Sequence, residues 1–243
     1  MRCGRHRNPM KKLLIVLTAL GILVLMAWGF DQAIFIAPTE ATMGEVQRIF
    51  YYHVPHGILC YLFFSINFVA SMLVLSWRRS DPARAMAADA WALCGAEVGV
   101  LYCTVNLVTG PLWARPVWGI WWTWDARLTT TLILWLIYVS YLLVRRFAAG
   151  SEMQSLAAVL AVFGAVDMPI NYLANRIWRT QHPSPVLGGG PESGLAPPIA
   201  AALGWNVLAW AAWGLAILAI RVYLERRQQR IDSADEAAAL AAD

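Results

Sequence analysis

Lysine is almost missing from this chain. Only Lys11 and Lys12 occur in 243 residues, and neither sits in a G-x-x-x-x-G-K setting, so the sequence offers no phosphate cradle for a nucleotide. Any ATP-driven step would belong to another subunit. Charge of either sign is scarce, at 14% of residues against 59% hydrophobic, with a mean hydropathy of +0.53. A soluble domain of this length needs more polar surface to cover its core. Cysteine is sparse too. The four present, Cys3, Cys60, Cys94 and Cys103, form no C-x-x-C, which excludes a thioredoxin-like exchanger, and no C-x-x-C-H, which excludes covalent attachment of a c-type haem to this chain. The last three fall in apolar runs and read as small packing residues. There is no internal repeat of the kind that secondary transporters carry.

What the chain has instead is apolar length. Six stretches, near 13–30, 54–77, 90–111, 128–144, 154–173 and 199–220, reach the roughly 17–25 residues that cross a bilayer core as helices. The expectation is one all-α membrane domain over 1–243 with six transmembrane helices. Residues 1–37 have the basic start and apolar core of a signal peptide, but Trp28-Gly-Phe30-Asp31 offers no small-x-small cleavage site, so an uncleaved first span is expected.

Orientation follows from the basic residues. With a cytoplasmic N-terminus, 14 of the 19 Lys and Arg fall on the cytoplasmic side; Arg48, Arg115, Arg127, Arg176 and Arg179 make up the other 5. That bias places both termini inside. It also accounts for the net charge of +4 without a nucleic-acid partner. The tail, 221–243, begins as a basic helical extension and turns Ala-rich and acidic, a composition expected to fray.

The unusual residues then collect on the outer face, in segments near 31–53, 112–127 and 174–198. The second contains Trp118-Gly-Ile-Trp121-Trp122-Thr-Trp124-Asp125-Ala-Arg127. Such a run suits a membrane-interface belt, where the ring meets lipid and the indole N–H meets water. It equally suits a flat shelf for a planar ligand, and if helical it would place positions 118, 121, 122 and 125 on one face. Of four histidines, His53, His56 and His182 are external and His6 lies in the basic N-terminal stretch. Neutral imidazoles from two outer segments are good axial ligands for haem iron, and Arg115, Arg127, Arg176 and Arg179 are available to carboxylates. His53 and His56, at i and i+3, lack a third ligand for a small metal ion. Two ionisable residues, Glu97 and Asp167, lie within spans and are expected to face the bundle interior or a cavity. Met168-Pro169 should bend the fifth span. The Pro- and Gly-rich stretch from Pro183 to Pro198 reads either as a passive connector or as a flap over the outer face.

Taken together, Leu107-Val-Thr-Gly110, Trp113 and Trp118-Gly-x-Trp-Trp-x-Trp-Asp125-Ala-Arg127-Leu-Thr129 resemble the tryptophan-rich "WWD" signature of the cytochrome c assembly superfamily. His53-Val-Pro55 and Trp178-Arg-Thr-Gln-His182-Pro183 resemble its two outer histidine motifs. Length and span number are most similar to the CcmC family; the related CcsA-type synthase subunits are usually longer. Glu97 departs from the uncharged residue expected there.

The resemblance implies a haem-handling protein of the bacterial cytoplasmic (inner) membrane with its site facing the periplasm. It implies His53 and His182 as axial ligands of non-covalently and transiently bound haem b. The platform would be Trp118, Trp121, Trp122, Trp124 and Asp125, with Arg127 beside it. It implies delivery to a periplasmic haem chaperone, alongside an ABC-type ATPase, its membrane subunits and a small membrane subunit, with no bond-making by this chain alone. A cytochrome b-like redox protein is the competing class, but it would place paired histidines inside the spans.

Overall fold

The computed structural model describes residues 9–147, 152–183 and 194–241. Most of the proposed flap and the basic stretch that holds Cys3 and His6 lie outside the described residues. Among the described residues, six α-helices make up the fold: α1 (Pro9–Asp31), α2 (Phe50–Trp77), α3 (Pro82–Trp118), α4 (Ala126–Phe147), α5 (Glu152–Ile177) and α6 (Pro197–Leu240). No strand occurs among the described residues. All six helices lie in segments long and apolar enough to cross a bilayer, as the hydropathy of the sequence predicts, and the chain is a multi-pass membrane protein.

Local chemistry sets the helix ends. Asp81 caps α3 by accepting the Arg84 N–H at 3.0 Å, with Pro82 in the first turn, where a missing N–H is harmless. The same helix stops at Gly119, whose φ of 80° is left-handed and whose N–H reaches back to the Arg115 carbonyl at 3.0 Å. Asp125 caps α4 through the Leu128 N–H at 3.0 Å. The tryptophan segment is therefore a helix end, a glycine break and an irregular link, rather than one helix. The face joining 118, 121, 122 and 125 does not form.

Helices α2 and α3 form the centre, flanked by α4 and α5 on one side and α6 on another. Phe64 and Tyr138 stack with ring centres 3.7 Å apart and planes 6° from parallel. Gly214 lets α6 approach α2 and α3, since a Cβ there would fall 2.5 Å from the Phe63 ring. Helix α1 is peripheral. It meets α6 where Asn206 donates to the Gly29 carbonyl at 2.8 Å, and most of its remaining side chains are exposed, as lipid-facing residues are.

Two ion pairs bind the helices far from the tryptophan segment. Arg145 of α4 meets Asp89 of α3, with Nη2 2.8 Å from Oδ2. Arg221 of α6 grips both carboxylate oxygens of Glu97 at 2.8 Å, so Glu97 is a paired strut between α3 and α6. The tail also departs from its expectation: α6 stays helical to Leu240. Ala, Arg, Gln and Glu are strong helix formers, and Gln228 bonds Asp232 one turn on at 2.8 Å. At 44 residues, α6 is about 66 Å long, roughly twice a hydrocarbon core.

Candidate functional site

At the end opposite those pairs, the α1–α2 link, the α3–α4 link and the segment after α5 come together over a cavity of about 580 Å³. Its walls carry His53 of α2, Trp113 and Trp118 of α3, Trp122, Arg127 of α4 and His182. Arg48 secures the roof. Its guanidinium donates to the carbonyls of Ala33 at 2.8 Å and Ala37 at 2.7 Å, tying the segment just after α1 to the turn that starts α2.

Neighbouring oxygens fix the orientation of both histidines. Thr109 donates its only hydroxyl proton to the Val105 carbonyl at 2.7 Å, so its oxygen accepts from His53 Nδ1 at 2.9 Å; the unprotonated Nε2 then faces the Asn106 amide at 3.3 Å. His182 Nδ1 lies 2.9 Å from the Pro183 carbonyl, which selects the same tautomer. Asn106 donates to the His53 carbonyl at 3.0 Å. Gly110 leaves room for the ring, since a Cβ there would stand 3.3 Å from His53 Cε1. Burial holds the His182 imidazole below its ordinary pKa, and the Arg127 cation adds to this; the Pro183 carbonyl and Asp125 oppose it. A neutral ring is the form that ligates metal.

The other predicted residues divide. Trp118 and Trp122 line the cavity, whereas Trp121 and Trp124 are 56% and 77% exposed and do not. The Trp122 indole nitrogen is buried without a partner. Arg127 lines the floor and donates to the Asn171 carbonyl and the Tyr61 hydroxyl. Asp125 stands behind the wall. Burial pushes its carboxyl up, but hydrogen bonds from Leu128, Thr180, Thr123 and Gln181 outweigh that and hold it below the usual range. It thus clasps the His182 segment to the start of α4. Arg115 turns to the Gly119 carbonyl. His56 points into the core, between the rings of Tyr102 and Trp210 at 4.8 and 4.4 Å.

Sequence reasoning missed Tyr61, Asn106, Thr109 and Asn171 as supports. Asn106, Thr109 and Gly110 share a helix face at i, i+3 and i+4, a polar patch in an apolar span and therefore a readable signal.

A family model described as heme exporter protein C, CcmC, matches residues 4–238. The chain belongs to the CcmC family. Heme exporter protein C of Bradyrhizobium diazoefficiens is 35% identical over 177 residues, covering 72% of this chain and 65% of the relative, a little under two thirds of that protein's length. Its namesake in Escherichia coli K12 is 30% identical over 84% of this chain and 76% of its own. That of Rhodobacter capsulatus is 28% identical over 97% of this chain and 98% of its own.

Haem can be tested against the CcmC-family cavity by its dimensions. The rings of His53 and His182 have centres 6.4 Å apart and planes tilted by 37°. A metal–imidazole bond is about 2 Å, and a ring nitrogen lies about 1.2 Å from its ring centre. Two imidazoles sharing one iron would therefore have centres at most about 6.4 Å apart, the separation found here. The unpartnered Trp122 N–H and the Arg127 guanidinium are donors suited to porphyrin carboxylates. The residues fit the group.

Proposed function

We propose that this CcmC-family chain holds haem b non-covalently and transiently between His53 and His182, and delivers it to a periplasmic haem chaperone for cytochrome c maturation. The spacing of the two imidazoles carries this reading. Trp118 and Trp122 supply apolar walls, and Arg127 and the Trp122 N–H take the carboxylates. Ligation by both imidazoles would leave the iron no place for oxygen. Asp125 acts through His182 as a positioning residue. Trp121 and Trp124 stand at the exposed rim, where a partner can meet the porphyrin edge.

The site faces the periplasm from the bacterial inner membrane, because the cavity end carries the smaller share of basic residues. With no nucleotide motif of its own, the chain works beside an ABC-type ATPase, its membrane subunits and a small membrane subunit. The test is the absorption spectrum of purified protein loaded with haem. Wild type should be low-spin and six-coordinate. His53→Ala and His182→Ala should each lose that signature, and retention of it in both variants would remove the ligand assignment.

A further inference from the structure

Beneath the cavity, the bundle carries a line of buried and half-buried polar groups that haem binding does not use. Asp167 of α5 lies one turn before Asn171, whose amide donates to the hydroxyls of Thr130 at 2.7 Å and Thr131 at 2.8 Å. Asn171 also touches Tyr61 and Arg127 at the cavity floor. Asp167 Oδ2 is buried without a hydrogen-bond partner, and no salt bridge among the described residues reaches it. The groups within its electrostatic reach are Cys103 of α3 and Tyr138 of α4, with Cys60 of α2 beside both. None is a cation.

Tyr138 continues the line away from the cavity. Its ring lies against Gly164 of α5, where a Cβ would stand 3.1 Å from Cε2, and its buried hydroxyl has no partner. One turn further, Tyr141 lies beside Asn67 and Arg145, the Arg145 Cζ 5.9 Å from its ring centre, and Arg145 pairs with Asp89. Eighteen residues of α4 separate Arg127 from Arg145, about 27 Å, close to the thickness of a hydrocarbon core. Packing alone does not need these groups: a Phe fills the space of Tyr138, and an unpaired carboxylate is expensive there. Tyrosine hydroxyls both donate and accept, so they can hand on a proton.

We propose that Asp167 is a proton-binding site, supplied from the opposite end of the bundle through Tyr141 and Tyr138, and that it takes up a proton when an anionic porphyrin occupies the cavity. The cargo's carboxylates bring negative charge into a low-dielectric interior that already holds the Asp167 carboxylate, and protonation removes the repulsion. The step is carboxylate plus proton to carboxylic acid; no electron moves. It rests on the haem reading of the cavity.

The test adds haem to the full-length protein in weakly buffered lipid nanodiscs, following proton uptake with an indicator dye and carboxyl groups by infrared difference spectroscopy. Wild type should take up protons and gain a carboxylic-acid carbonyl band. Asp167→Asn should bind haem within about threefold of wild type yet show neither change. Tyr138→Phe, which keeps the packing, should reach the same uptake about tenfold more slowly.

Uptake in Asp167→Asn equal to wild type overturns the site, and an unchanged rate in Tyr138→Phe overturns the path. If the Asn variant does not fold, the Tyr138→Phe rate decides alone. Failure of wild type to bind haem defeats the cavity reading instead. The proton site is then decided on haem-free protein, by whether a pH jump yields a carboxyl band that the Asn variant lacks and Tyr138→Phe delays.

Discussion

Asp125 Oδ1 accepts the Leu128 N–H at 3.0 Å, and the same carboxylate also takes hydrogen bonds from Thr180 and Gln181. One anion thus starts α4 and holds the segment that carries His182. Asp125→Ala should remove about 1 kcal/mol of helix-cap stability and release His182 from its position. Thermal melting should show the first effect, and a weakened low-spin haem spectrum the second. Asp125→Asn, an equally good cap, should restore melting more fully than the spectrum. Equal recovery of both would mean that the carboxylate serves only the helix.

Gly110 gives a graded test of the His53 position. With a Cβ 3.3 Å from Cε1, Gly110→Ala should be tolerated with a small ring displacement. Gly110→Val should push the imidazole off the iron axis, lowering haem affinity about tenfold or more, a loss of roughly 1.4 kcal/mol. Haem titration checks the order: wild type tightest, then Ala, then Val.

The membrane fold was legible because helix spans are written in long apolar runs, and the capping of α3 by Asp81 and Pro82 follows from local rules. The tryptophan segment was harder. Its spacing permits a helical face, but the left-handed Gly119 and the irregular link to α4 break it, with Trp118 and Trp122 lining the cavity while Trp121 and Trp124 are exposed. The Asp89–Arg145 pair was invisible for another reason: its partners are 56 residues apart, and nothing local to either announces the other.

The pH response of the site follows from His182. Its pKa is depressed below the ordinary 6.5, so the unfolded chain takes up its proton first as pH falls. The stability contribution is full above 6.5 and is lost as pH drops through the lower folded value. Haem ligation, which needs the neutral ring, should therefore persist below pH 6.5 and fail only on further acidification. A spectral titration between about pH 5 and 8 reads the midpoint. Arg127→Gln, which removes the nearby cation, should move that midpoint upward; a downward move would mean that Arg127 does not act on His182 electrostatically.

The side chains of Arg145 and Asp89 are only 9% and 3% exposed. Removing one charge leaves the other buried and unpaired, so Arg145→Ala should destabilise the bundle by about 3–5 kcal/mol. The double variant Arg145→Met with Asp89→Leu removes both charges and fills the space, and should recover most of that loss. Because the pair lies at the far end of α4 from Arg127, the double variant should bind haem as wild type does. A double variant as unstable as Arg145→Ala would show that the surrounding polar groups, Tyr141 and Asn67, depend on the charges themselves.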